Sequence, residues 1–162
     1  MNKKRATIAG GCFWGVEELM RKLPGVLDTQ AGYSGGHFPN PTYKDICTGV
    51  TGHAEAVDIT FDADLLSFKK LLHYFFRIHD PTTMNRQGND KGTQYRSAIF
   101  FHDETQKKEA LEVIEEVNQL KRYNAPVVTE ISAFEHFWTA EEEHQDYLQK
   151  YPTGYNCHYL RD

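Results

Sequence analysis

The sequence predicts an α+β fold: a ferredoxin-like two-layer sandwich, built on a split β-α-β plait with extra helices and long irregular loops. Three observations predict it. Short apolar alternations of the kind that half-buried strands carry recur between stretches of helical periodicity. Their order along the chain reads β-α-β-β-α-β-α-β-α. No internal repeat, low-complexity tract or linker rich in Pro, Gly or Ser divides the 162 residues, so 1–162 is read as one domain whose end, 151–162, is a mobile tail.

Each element has its own signal. Residues 6–9 give the first strand, and 12–22 a helix with Phe13, Val16, Leu19, Met20 and Leu23 at helical spacing, stopped by Pro24-Gly25. A second strand takes 26–33. The stretch 34–52 is rich in Gly, Pro and Asn, and structureless connections of that length are uncommon in compact domains unless they carry a function. Ala54, Val57, Ile59 and Phe61, with polar residues mostly between them, give a third strand. Ser67 caps a helix through Leu71, Leu72, Phe75 and Phe76 to about residue 78, and 79–96 is a second long polar loop. A strand at 97–101 precedes the longest helix, started by Asp103 or Thr105, with Ala110, Leu111, Ile114, Val117 and Leu120 on one face and charge on the other. A strand at 127–131 follows, and Thr139 with the acids after it gives a cap and an acidic first turn for a last helix to about residue 149.

Composition narrows the function classes. With 40% hydrophobic and 25% charged residues the chain can bury a core without a staple. A net charge of −5 argues against a general polyanion binder, because Lys3, Lys4 and Arg5 are too short a basic cluster to reverse it. No apolar run approaches a membrane span, and three cysteines, an odd number, do not make a secreted disulfide framework. The expectation is a cytoplasmic monomer with no nucleic acid and no membrane among its partners.

Cys12 is the most informative residue. It sits where a short apolar segment ends in Gly10-Gly11 and a helix begins, and a helix N-terminus favours thiolate over thiol. The glycines keep side chains away from the sulfur, and Phe13 and Trp14 offer an apolar wall beside it. Taken alone, a cysteine is more often a small buried hydrophobe. Here the glycine pair, the helix start and the neighbouring rings point to a reactive thiol.

The run Gly11-Cys12-Phe13-Trp14-Gly15-Val16-Glu17 resembles the active-site signature of the A-type peptide methionine sulfoxide reductases, which act on the S epimer. The resemblance extends over nearly the whole chain. Gly32-Tyr33-Ser34-Gly35-Gly36 with Asn40-Pro41-Thr42-Tyr43 is similar to the loop supplying a substrate-site tyrosine, which falls on Tyr43. Gly52-His53-Ala54-Glu55-Ala56-Val57 resembles the strand supplying the catalytic carboxyl, here Glu55. Arg86 through Ser97 looks like the loop that places an aspartate and a second tyrosine, Asp90 and Tyr95. Gly154-Tyr155-Asn156-Cys157-His158 resembles one form of the recycling tail.

These residue types suit the chemistry that the resemblance implies. A sulfoxide sulfur is weakly electrophilic, so a thiolate needs an acid that draws charge onto the oxygen. Glu55 serves if burial keeps it protonated, and Tyr43 and Tyr95 donate further hydrogen bonds to that oxygen. Phe13 and Trp14 receive the substrate methyl. Attack leaves a sulfenic acid on Cys12, which Cys157 resolves as a disulfide that an external dithiol opens. The resemblance implies thioredoxin as reductant, replaceable by dithiothreitol, with methionine sulfoxide, free or in oxidised proteins, as substrate and no bound cofactor or metal. Many relatives carry two tail cysteines; this sequence has only Cys157 there, so no relay within the tail is expected. Cys47 reads as an unreactive loop thiol, with a part in resolution left open.

Singly, the residues have plainer readings: Glu55 as a solvated strand position, Asp90 as a turn former, the tyrosines as packing. Two other classes stay open. One is a hydrolase or acyltransferase in which Cys12 attacks a carbonyl with His53 or His144 as base. The other is a noncatalytic peptide-binding module.

Overall fold

The computed structural model describes residues 2–156 and 158–161. Along the chain run β1 (Lys3–Gly10), α1 (Phe13–Arg21), β2 (Val26–Ser34), α2 (Tyr43–Cys47), β3 (Ala54–Asp62) and α3 (Phe68–Ile78). They are followed by β4 (Arg86–Gln87), β5 (Asp90–Lys91), β6 (Ser97–Phe101), α4 (Glu104–Leu120), β7 (Glu130–Ala133), β8 (Phe137–Thr139) and α5 (Tyr147–Lys150). Six strands form one sheet in the order β7-β6-β1-β3-β2-β8, and β4 and β5 form a separate small hairpin. The class is therefore α+β, on a sheet wider than a four-stranded plait.

Strand β3 lies at the centre, antiparallel to both β1 and β2, so β1 and β2 run parallel with β3 between them. Alternation along β3 divides the molecule. Val57, Ile59 and Phe61 face a core shared with Phe13, Val16 and Met20 of α1, with Leu71, Leu72, Phe75 and Phe76 of α3, and with Ala110, Val113 and Val117 of α4. Ala54 and Ala56 face a smaller cluster with Ala9, Ala98 and Phe100. Residue 55 has the parity of the main core, so the sheet's pleat alone sends Glu55 beneath α1.

The helix caps follow the expected chemistry. Ser67 Oγ accepts the Lys70 N–H at 3.1 Å, and Asp103, not Thr105, caps α4 by accepting the Gln106 N–H at 2.8 Å. The two long loops contain structure of their own: α2 in the first, the β4–β5 hairpin and a 3-10 turn at Thr93–Tyr95 in the second.

Four expectations need correction. On α4 Ala110, Ile114 and Val117 pack inward with Gln106 and Val113, whereas Leu111 and Leu120, expected on that face, are 51% and 57% exposed. Strand β7 starts at Glu130, because the Val128 N–H reaches Pro81 O at 2.8 Å instead of entering the sheet. Strand β8 was not foreseen. The expected helix over 139–149 shrinks to a 3-10 turn at Glu142–His144 and the four residues of α5. The open edge of β2 decides this last case: Gly32 pairs with Thr139, Ala140 N–H reaches Ala31 O at 2.9 Å, and Asp146 at φ 54° breaks helical continuity.

Candidate active site

β1 ends at Gly10, and the chain turns through Gly11 at φ 97°, where a Cβ would meet the Gln87 side chain at 2.7 Å. Cys12 follows as the N-cap of α1 and accepts the Val16 N–H on its carbonyl at 3.4 Å. Its side chain forms no capping bond, and the residue is buried. The sulfur thus stands at the positive end of a nine-residue helix, as expected.

Glu55 is 1% exposed and lies directly across the ladder from Tyr33. The Phe13 N–H, from the first turn of α1, donates to Oε1 at 3.2 Å. Oε2 is buried with no hydrogen-bond partner among the described residues. Burial pushes the Glu55 carboxyl up to about 8; the Phe13 N–H pulls against that, and the Asp90 charge adds to it. At neutral pH this carboxyl is mainly protonated, with a proton to donate.

Tyr43 opens α2. A reciprocal capping box fixes the turn: Thr42 Oγ1 accepts the Asp45 N–H at 3.2 Å, and Asp45 Oδ2 accepts the Thr42 N–H at 3.0 Å. The Tyr43 ring lies 4.3 Å from His144 and 6.3 Å from Phe13, centroid to centroid. Its hydroxyl hydrogen-bonds the exposed Cys47 thiol one turn on, whose pKa burial raises against that bond. Tyr95 ends the 3-10 turn that follows Gly92 at φ 139°. Burial first, then the Glu55 carboxyl, raises both phenols, and Asp90 and Cys12 act on Tyr95 as well. Electrostatic interactions thus link Glu55 to Tyr43, Tyr95 and Asp90, and Tyr95 in turn to Cys12, Asp90 and Tyr43.

Phe13 is fully buried, between Tyr33 and Tyr43, and backs the site rather than facing solvent. Trp14 is half-buried; its indole stacks on Tyr147 at 3.8 Å and donates from Nε1 to His144 Nδ1 at 3.1 Å. Asp90 accepts the Tyr155 hydroxyl at 3.1 Å. Cys157 lies outside the described residues. Its neighbour His158 is buried and donates from Nε2 to Gly10 O at 2.7 Å. A Cβ on Gly15 would stand 2.4 Å from His158 Nδ1 and 2.6 Å from Asn156 Oδ1, so this second glycine of the motif is the seat of the carboxy-terminal segment.

Sequence reasoning missed Tyr33, Glu141 and the structural part of His144. Tyr33 was detectable, since it falls on the same inward parity as the β2 core. Glu141 stood in an acidic run where nothing distinguished one carboxylate from the next.

Neither histidine named for the hydrolase reading stands ready as its base. His53 accepts the Gly36 N–H on Nδ1 at 3.2 Å and donates from Nε2 to Phe38 O at 2.7 Å, while His144 Nδ1 is taken by Trp14. Glu141, Glu143 and His144 bring one ligand atom each within 4.8 Å of one another, yet Glu141 and His144 already hold tyrosine and tryptophan groups.

Residues 4–162 match the family model described as peptide methionine sulfoxide reductase. The chain is 54% identical over 160 residues to a peptide methionine sulfoxide reductase MsrA of Mycobacterium bovis, covering 99% of this chain and 86% of that one. Its fold is similar to that of Mxr1 from Saccharomyces cerevisiae in reduced form, with a TM-score of 0.94 at 40% identity over 99% of this chain and 93% of the other. Mxr1 in complex with Trx2 gives a TM-score of 0.67 at 28% identity, covering 99% and 91%.

Proposed function

Because this chain belongs to the peptide methionine sulfoxide reductase family, and so reduces methionine sulfoxide at the expense of thiols, we propose that its reaction runs through Cys12 with Glu55 as the acid. The Cys12 thiolate attacks the sulfoxide sulfur while the Glu55 proton passes to the oxygen. Tyr43 and Tyr95 donate to the same oxygen as charge gathers there; one such donor is typically worth about 100-fold or more in rate. The oxygen leaves with the enzyme's sulfur as a sulfenic acid and methionine departs. The Cys157 thiol then displaces water from that sulfur to give a Cys12–Cys157 disulfide, and a dithiol reduces it. Overall, one sulfoxide and two thiols become one sulfide, one disulfide and one water.

The observation that carries this reading is the buried Oε2, without a hydrogen-bond partner among the described residues, of a carboxyl raised to about 8 beside the turn that bears Cys12. Trp14 and the aromatic group around Tyr43 support a methyl subsite that favours the S epimer, with Asp90 steering through its charge. The yeast relative's complex with Trx2 supports thioredoxin as the physiological reductant. The reading includes a monomer in the cytoplasm; among the described residues no helix is long and apolar enough to cross a membrane. For the scaffold, the order β6-β1-β3-β2 with α1 and α3 as connections supports a split β-α-β plait widened by β7 and β8.

A peptide carrying racemic methionine sulfoxide, incubated with protein and dithiothreitol, tests it. The S epimer is expected to disappear and the R epimer to survive, with no turnover by Cys12→Ser. Without reductant, peptide mapping should find Cys12 joined to Cys157. Survival of both epimers would overturn the reading.

A further inference from the structure

Tyr43 sits on a five-residue helix inside a long loop, a poor foundation for a side chain that must meet a reacting oxygen to within a fraction of an ångström. The backbone donors of that first turn can be followed one by one. The Thr42 and Asp45 N–H groups close the capping box. The Tyr43 N–H leaves the loop altogether and donates to Glu141 Oε2 at 2.9 Å.

The other oxygen of the same carboxylate, Oε1, accepts the Tyr33 hydroxyl at 2.8 Å. Tyr33 belongs to β2 and is fully buried, paired with Glu55 on one side and Trp138 on the other. Glu141 is itself held firmly. Ala140 before it extends the β2–β8 ladder, and the Gln145 amide clasps Ala31, accepting its N–H at 2.9 Å and donating to its carbonyl at 2.8 Å. His144, on the same segment, lies against the Tyr43 ring.

We propose that Glu141 is a positioning residue for the reduction step: its carboxylate bridges the Tyr33 hydroxyl and the Tyr43 backbone, fixing the Tyr43 phenol with the rigidity of the sheet. Charge-assisted bonds to a carboxylate are shorter and stronger than neutral ones, which suits a link that must hold a loop still. Glu141 touches no reacting atom in this account and acts through Tyr43. The proposal rests on the reading that Tyr43 donates to the sulfoxide oxygen, and its test is built to separate the two.

The measurement is the single-turnover rate of methionine formation from a methionine S-sulfoxide peptide, with KM from steady-state assays using dithiothreitol. Glu141→Ala is expected to slow the single turnover by about 10- to 100-fold with KM little changed. Glu141→Gln keeps an acceptor oxygen for the Tyr43 N–H and a polar atom for Tyr33, and should recover most of the rate. In a Tyr43→Phe background, Glu141→Ala should add little, because the two changes remove the same function. Should Glu141→Ala fail to fold, Tyr33→Phe removes one arm of the bridge and should give a smaller loss that also vanishes in Tyr43→Phe. A slow Tyr43→Phe with an unaffected Glu141→Ala, or equal losses in both backgrounds, overturns the positioning role alone. A Tyr43→Phe enzyme as fast as the parent overturns the reading of Tyr43 and the proposal with it.

Discussion

A carboxyl surrounded by protein keeps its proton to a pH at which exposed carboxyls are fully ionised, and the role proposed for Glu55 draws on that fact. Its pKa rises from 4.5 to about 8 on folding. Between those values the folded chain holds a proton that the unfolded chain has released, so stability falls as pH rises through this window and the full penalty is present above it. In the proposed reaction the reductive step needs the protonated form, so the single-turnover rate should fall as pH rises through about 8. Glu55→Gln cannot titrate there. Its urea midpoint is expected to decline less between pH 5 and about 9 than the parent's, and any residual turnover should lack the alkaline limb; identical slopes for both proteins would remove Glu55 as the titrating group. Cys12 and Glu55 could be singled out in the sequence by the motifs that carry them, whereas the burial of Glu55 could not be read there, because alternation alone left it as plausible on the solvent side. Nor could Glu141 be singled out: Glu141, Glu142 and Glu143 are equivalent in sequence, and only the folded chain sets one of them against Tyr33 and Tyr43.

Elements impose their own constraints, and Gly15 in α1 states one of them with a sign. Replacing glycine by alanine inside a helix normally stabilises it by roughly 1 kcal/mol. Here the new methyl would meet His158 and Asn156 at contact distances no real Cβ tolerates, so the carboxy-terminal segment must lift. Gly15→Ala is therefore expected to lose stability in urea and to be cut faster by protease near its end, while Cys12 still completes a first turnover; a gain in stability would refute the seat. The helices α1, α3 and α4 were readable as helices, since each carries an apolar stripe over two turns or more. Strand β8 was not readable, because three residues hold too little alternation. The acidic run after it has good helical propensity, yet the unpaired edge of β2 captured Thr139 and Ala140 first. Local preference worth tenths of a kcal/mol per residue yields to backbone hydrogen bonds that would otherwise go unmade.

At the scale of the whole molecule, one sheet and the helices α1, α2, α3 and α4 share the main core, and the site is the place where α1 meets the centre of that sheet. Core and site are then mechanically continuous, which gives a graded expectation. Phe76→Ala, at a fully buried position, should cost about 3–5 kcal/mol in urea unfolding, whereas Leu111→Ala on the exposed face of α4 should stay within about 0.5 kcal/mol. Similar costs at the two positions would contradict the observed inward face. The α+β class was legible from the order of elements. The width of the sheet was not, because β7 and β8 join its edges by pairing with strands far away in sequence. That late arrival has a consequence during synthesis. The groups that complete the surroundings of Cys12 and Tyr43, namely Glu141, His144, Tyr147 and His158, all come from the final quarter of the chain. A ribosome adding roughly 5–20 residues per second releases the sulfur-bearing end well before them. The nascent polypeptide thus carries the proposed nucleophile without Glu141 and His144 beside Tyr43, and competence waits until that segment has been made.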